Sequence, residues 1–342
     1  MQAADRTTTA LTGIKPTGRP HLGNYLGMIR PALDLAQRHR AVYFIADDHA
    51  LTTIAEPRRL ETLIYDVAAT WLALGLDPNQ AIFYRQSSIP QIFELAWILS
   101  CVTAKGALNR AHAYKAALAA NTAGGRDPDA DISAGLFYYP VLMAADILTF
   151  DTDIVPVGRD QRQHVEIARD IAVAFNRRFG SVLKLPEALI RKEGWAVPGI
   201  DGRKMSKTYG NTIPVLAAPE ELKAAVMRIV TDSKRPEEPK DPERCNLFAI
   251  YRHFALPERV EELRTLYHNG GAAYREIKEE LVLLLDRHFA PARERYNEWI
   301  ADRRRIDVVL DAGAARARPV AARTLDKVRR AVGIDSSASP LI

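Results

Sequence analysis

The chain has 342 residues, enough for a sizeable core and roughly two domains. Its 47% hydrophobic and 26% charged residues are those of an ordinary globular protein; no apolar run reaches the ~18 residues that span a bilayer, and Met1 to Thr9 lack the apolar stretch of a secretory signal. Two cysteines, Cys101 and Cys245, exclude a four-cysteine zinc or iron–sulfur site and suit a reducing cytoplasm, while a net charge of +5 permits a polyanionic partner without demanding one.

Thr7 to Ile14 is a β-branched and apolar run that predicts a strand. The Gly/Pro-rich loop Lys15-Pro16-Thr17-Gly18-Arg19-Pro20 follows, and then a helical pattern at Leu22, Leu26, Ile29 and Leu33. Strand, Gly-rich loop and helix start present backbone N–H groups to an anion, and His21, Gly23 and Asn24 fall in the first turn, where the helix dipole favours negative charge. A plain strand-to-helix join reads from the same residues. Ala41 to Ala46 predicts a buried parallel strand that ends in Asp47-Asp48-His49. A helix over 57–74, a strand over 81–84 and a helix over 92–101 continue the alternation of a doubly wound α/β domain. Polar residues at the carboxyl ends of its strands then share one crevice.

Residues 113–120 are helix-prone, and 121–131 read as a loop rich in Gly and Asp. Residues 135–150 form a strongly apolar helix with one charge, Asp146, and Tyr139, Met143 and Asp146 on one face at i, i+4 and i+7. Burying that carboxylate requires a donor: an indole N–H, an N-cap or a core ion pair would each supply one. Strand 154–157, helix 161–175 and strand 184–190 lead to the polar loop 198–211, in which Lys204 and Lys207 lie three apart. Two mobile ammonium groups at that spacing suit charge that shifts during phosphoryl transfer, or a solvated basic loop. Beyond Pro214 the pattern is helical: 219–230, 247–254, 257–268, 272–290, 292–305 and a last helix over 319–332. Residues 301–342 carry nine Lys/Arg against five Asp, which fits contact with nucleic-acid phosphates or a solvated face with pairs such as Asp326–Arg330. Three consecutive residues, Asp47-Asp48-His49, cannot all converge from one strand end, so no dedicated metal cage is expected.

Pro20-His21-Leu22-Gly23-Asn24 resembles the HIGH signature of class I aminoacyl-tRNA synthetases, and Lys204-Met205-Ser206-Lys207-Thr208 resembles their KMSKS loop. Tyr139-Pro-Val-Leu-Met-Ala-Ala-Asp146 is similar to the amino-acid pocket of the bacterial tryptophan-specific members, and Gly158-Arg159-Asp160-Gln161 to their next strand-end segment. The resemblance covers nearly the whole chain. It implies a Rossmann-like catalytic domain over 1–212, with the KMSKS-type loop at 202–211, and a helical anticodon-binding domain over 213–342. It also implies activation of L-tryptophan by ATP with Mg²⁺ on the phosphates, transfer to tRNA(Trp), a cytoplasmic homodimer and no membrane.

The resemblance casts Lys204, Lys207 and His21 as catalytic. ATP would be bound by Lys15, Pro16, Thr17, Gly23, Asn24, Gly158, Arg159, Asp160 and the run Lys204, Met205, Ser206, Lys207, Thr208. Tryptophan would be held by Asp146, Met143, Tyr139, Gln161, Gly13 and His49, with the aspartate accepting the indole N–H. Four positions depart from the family pattern: Lys15 stands for glutamine, Leu11 for phenylalanine, Thr208 for serine, and Ala117 for a lysine that Lys115 or Arg126 would replace. A tyrosine-specific relative and a non-catalytic tryptophan- or ATP-binding paralogue are the alternatives. The first would want a phenol-hydroxyl pair in the pocket; intact Lys204 and Lys207 speak against the second.

Overall fold

The computed structural model describes residues 8–158, 162–190 and 197–334. Five parallel strands among them form one sheet: β1 (Thr9–Ile14), β2 (Arg40–Ile45), β3 (Ile82–Arg85), β4 (Ile154–Pro156) and β5 (Glu187–Leu189), in the order β3-β2-β1-β4-β5. Thr9 pairs with Arg40 on one side of β1, and Ala10 with Ile154 on the other. The order reverses between β1 and β4, which places a crevice at their carboxyl ends. The doubly wound α/β class read from the alternating apolar runs is the fold observed.

Helices connect the strands and cover both faces. The rod after β1 runs through α1 (Leu22–Asn24), a π-helical turn (Tyr25–Ile29) and α2 (Arg30–Ala36). The single turn α3 (Asp47–Ala50) and α4 (Pro57–Ala73) follow β2; α5 (Pro90–Ser100), α6 (Lys105–Leu108), α7 (His112–Ala123) and α8 (Ala134–Thr149) lie between β3 and β4; α9 (Arg162–Phe179) leads to β5. Pro at the first position of α4 and of α5 suits a helix start, since its missing N–H would be unpaired there.

Alternation along the buried strands divides the core in two. Ala41, Tyr43, Ile45 and Phe83 face Trp71 of α4, and Val42, Phe44, Ala46 and Tyr84 face Ala144, Ile147 and Phe175 of α8 and α9. The helical region after the sheet comprises α10 (Pro219–Met227), α11 (Asn246–Tyr251), α12 (Pro257–Asn269), α13 (Tyr274–Ala301) and α14 (Arg303–Val332). Phe248, Tyr267, Leu285 and Phe289 continue the first core without a seam.

Two helices differ from the sequence reading. The two helices expected over 272–290 and 292–305 are the single α13, with Pro291 inside it, and the break falls at Asp302. Burial of Leu285, Phe289 and Ala292 outweighs the ~3 kcal/mol that an internal proline costs. The last helix starts at Arg303 rather than Pro319 because Ile306, Leu310, Gly313, Ala314 and Ala317 bury one continuous stripe. It returns along the outer edge of β3: a Cβ on Gly313 would stand 1.8 Å from the Phe83 carbonyl oxygen. Arg316 donates to the carbonyls of Pro78, Asn79 and Ala81. No helix among the described residues is long and apolar enough to cross a membrane.

Candidate active site

Four strand ends converge on the crevice: the Lys15–Pro20 loop after β1, α3 after β2, Gln86 after β3, and Val157-Gly158 after β4. Its two halves are built differently.

In the first half, His21 caps α1. Its Nδ1 accepts the Asn24 N–H at 3.3 Å, and the Asn24 side chain accepts the His21 N–H at 3.2 Å. A nitrogen that accepts a backbone N–H carries no proton, so the neutral ring keeps its hydrogen on Nε2 and is a donor there. Burial, then the Lys207 charge, lowers the His21 pKa to about 4, so the ring is neutral at physiological pH. It is therefore a fixed hydrogen-bond donor and not a general base.

The second signature loop lies on the first. The Gly23 N–H donates to Met205 Sδ at 3.3 Å, and a Cβ on Gly23 would stand 3.0 Å from the His21 ring and 3.4 Å from Met205 Cβ. Only glycine lets these three groups meet. The Lys207 ammonium lies 3.3 Å from where a Cβ on Gly18 would stand, and Gly18 has φ +115°, a left-handed conformation that suits glycine. Desolvation lowers the Lys207 pKa, and Asp66 partly offsets it. Leu22 N donates to Ile213 O at 2.9 Å and Val215 N to Pro20 O at 3.3 Å, which fixes the chain just beyond the loop to the first turn.

The loop at 198–211 is itself organised by Asn211, which is buried. Its side chain accepts from Ser206 N at 2.8 Å and donates to Asp201 Oδ1 at 2.7 Å and Lys204 O at 3.2 Å. Ser206 Oγ caps the turn by accepting from Thr208 N, and Gly210 closes it at φ 62°. Lys204 and Lys207 thus project from a pre-formed loop.

In the second half Asp146 is fully buried on α8. Burial pushes its carboxyl well above the usual range; Gln86 donation opposes this, and the charges of Asp48 and Asp47 add to it. Gln86 Nε2 lies 3.0 and 2.8 Å from the two carboxylate oxygens, and His49 N donates to Gln86 Oε1 at 3.3 Å. The His49 ring lies edge-on to Tyr139, whose hydroxyl is 3.1 Å from His164 Nε2. A carboxylate, an imidazole and a phenol thus line one wall.

The structure brings His21, Gly23 and Asn24 together with Met205 and Lys207, and Asp146 together with His49 and Tyr139. Met143 is half-buried against the second core. Gly13 sits under Phe44, whose ring atoms would lie 2.5–2.8 Å from a Cβ there, and so shapes the pocket from below. Lys15 Nζ donates to Thr52 Oγ1 at 2.8 Å, and Thr52 donates to His49 O at 2.8 Å; burial lowers the lysine's pKa. Pro16 is buried, Thr17 and Thr208 are exposed, and Gly158 is exposed after β4. Arg126 pairs with Asp131 in its own loop. Arg159, Asp160 and Gln161 lie outside the described residues. Sequence reasoning missed Gln86, Thr52 and Asn211; the place of Gln86, first polar residue after β3, was the available signal. Among the described residues no group of three or more His, Cys, Asp or Glu is arranged to hold a metal ion.

The chain as a whole is similar to known proteins. The model of the family described as tRNA synthetases class I (W and Y) matches residues 3–290. The tryptophan–tRNA ligase of Pseudomonas aeruginosa is 53% identical over 341 residues, 98% of this chain and 76% of that protein. That of Neisseria meningitidis is 50% identical over 327 residues, 95% and 97% of the two chains. The crystal structure of the Campylobacter jejuni tryptophanyl-tRNA synthetase complexed with ADP and tryptophan superposes with a TM-score of 0.86 at 43% identity, covering 95% of this chain and all of that one.

Proposed function

From the membership of this chain in the class I tRNA synthetases (W and Y), we propose that it is an ATP-dependent tryptophan–tRNA ligase. The observation that carries the choice of tryptophan is Asp146, a fully buried carboxylate beside His49 and Tyr139 that can accept an indole N–H in addition to the Gln86 donor. A phenol reader would present a donor–acceptor pair instead.

In the first step a carboxylate oxygen of tryptophan attacks the α-phosphorus of ATP, which enters as its Mg²⁺ complex. A carboxyl–phosphate anhydride forms and pyrophosphate leaves. The substrate supplies the nucleophile, so the protein's work is positioning and charge stabilisation. His21 Nε2 is the donor this turn leaves for the phosphates, since the N–H groups of Leu22, Gly23 and Asn24 are taken by Ile213, Met205 and His21 itself; Lys207 and Lys204 follow the negative charge onto the leaving pyrophosphate. Mg²⁺, expected with the ATP phosphates rather than in a protein cage, would offset their negative charge. In the second step a hydroxyl of the tRNA's 3′-terminal ribose attacks the tryptophanyl carbonyl carbon, an ester forms and AMP leaves.

Under the same reading Lys15, Pro16, Thr17, Gly158, Arg159, Asp160, Met205, Ser206 and Thr208 complete the ATP side, and Met143, Tyr139, Gln161, Gly13 and His49 the tryptophan side. Residues 1–212 carry the chemistry and 213–342 meet the tRNA. Arg316 and Arg329 of α14 are engaged with the carbonyls before β3 and with Glu94, so tRNA contact falls to exposed cations such as Arg304 and Arg323. A homodimer is what the family resemblance implies, and Trp97, 69% exposed on α5, is a candidate contact for it. A cytoplasmic site of action is supported by two free cysteines.

Amino-acid-dependent ATP–pyrophosphate exchange, run with each of the twenty amino acids, tests the proposal. Exchange with tryptophan alone is expected; exchange with tyrosine, or with none, overturns it.

A further inference from the structure

Gln86 is fully buried and opens a short 3-10 turn, Gln86–Ser88, directly after β3. Its neighbours are fixed on both sides. Arg85 pairs with Asp307 of α14, and Ser87 donates through both N and Oγ to Asp47 of α3. The side chain between them has little freedom. Its orientation is decided by chemistry: the His49 backbone N–H only donates, so it takes Oε1, and Nε2 faces Asp146. Among the described residues Gln86 is the one side-chain donor within hydrogen-bond distance of Asp146; His49 Nδ1 stands 3.8 Å off.

We propose that Gln86 is the positioning residue for amino-acid specificity: its carboxamide fixes the Asp146 carboxylate against His49 and keeps it an acceptor, so that the pocket selects a ring bearing an N–H. This rests on the tryptophan reading above. No other side chain of this length does both jobs. Glutamate would set one carboxylate against another, and methionine would leave Asp146 without a donor. Of the groups that face Asp146 from neighbouring elements, Asp47 and Asp48 on α3 oppose its charge, and Tyr84 on β3 is kept neutral by burial and by that charge. Lys15 acts on His49 rather than on Asp146. The Gln86 donor is thus what favours the ionised form, and its loss moves ionisation of Asp146 to higher pH.

The test uses the full-length enzyme and two substrates, tryptophan and its benzothienyl analogue, in which sulfur replaces the indole N–H. Pyrophosphate exchange is followed for wild type, Gln86→Met and Gln86→Glu between about pH 6 and 9. For Gln86→Met, kcat/KM with tryptophan is expected to fall roughly ten- to hundredfold while the analogue changes little, so the preference for the N–H collapses. The acid limb of the tryptophan profile moves to higher pH. Gln86→Glu should fail most at alkaline pH and recover on acidification, because a protonated glutamate donates again. A folded Gln86→Met enzyme with an unchanged preference and an unmoved acid limb overturns the proposal. Should Gln86→Met not fold, a Gln86→Glu enzyme that declines on acidification in parallel with wild type overturns it equally. Wild type that shows no tryptophan-dependent exchange would instead refute the functional reading.

Discussion

Folding disfavours the charged form of two residues of the site, and each leaves a signature in stability. Asp146 has its pKa raised by burial. The folded state therefore holds the proton more tightly than the unfolded chain, and stability falls as pH rises above the unfolded value of 3.8 toward the folded one. Asp146→Asn keeps an oxygen for Gln86 and removes that burden. It should raise the melting midpoint at neutral pH, with a gain of about 1–3 kcal/mol, while tryptophan use falls; scanning calorimetry across pH should show the gain vanishing near pH 4. An equal midpoint at pH 7 would contradict the assignment. His21 behaves in the opposite sense. With its pKa lowered to about 4, it stays neutral while the unfolded chain takes up a proton below 6.5, so stability is lost as pH falls from 6.5 toward 4. His21→Asn, which preserves a cap, should flatten that acid loss. Legibility at this scale was uneven. His21, Lys207 and Asp146 stood out because their types are unusual where they occur; Gln86 and Thr52 did not, because a glutamine after a strand or a threonine after a turn is ordinary until its partners are known.

At the scale of elements, strands and their polar ends were readable because a parallel sheet buried on both faces demands unbroken apolar runs such as Ala41 to Ala46. Helix ends were not. Pro291 and Pro319 carry the mark of a boundary, yet each lies inside a long helix, because burial of a whole stripe overrides a local preference. The stripe of α14 begins at Ile306 and Leu310 but continues as Gly313, Ala314 and Ala317, too small in side chain to register as periodic hydrophobicity. Gly313 gives that stripe a sharp test. Alanine in a helix interior is favoured over glycine by about 1 kcal/mol. Here the added methyl would stand 1.8 Å from a backbone oxygen, and the collision should dominate, so Gly313→Ala should destabilise by several kcal/mol in urea unfolding. Any gain in midpoint would show that α14 does not press on β3. Asn211 gives the loop at 198–211 a similar handle. Asn211→Ala removes three hydrogen bonds at once, those to Asp201, Ser206 N and Lys204 O, and should lower kcat for exchange about tenfold with little change in KM for tryptophan.

At the scale of the molecule, the helical region is an extension of the sheet's core, with Tyr25 on Phe289 and Tyr296 bonded to Asp66. Trp97 points away from that core. If a second copy covers it, Trp97→Glu should yield monomers by light scattering, and a dimer that persists would remove α5 from the interface. The return of α14 has a consequence for how the protein is made. A chain emerging from the ribosome completes β1 to β5 well before residue 303, but the outer edge of β3 stays uncovered until the last helix arrives. Through that interval the nascent protein presents an open row of N–H and C=O groups, which invites pairing with another strand. Sealing of the sheet therefore waits for α14, and termination within residues 303–332 should yield aggregates rather than a smaller working enzyme.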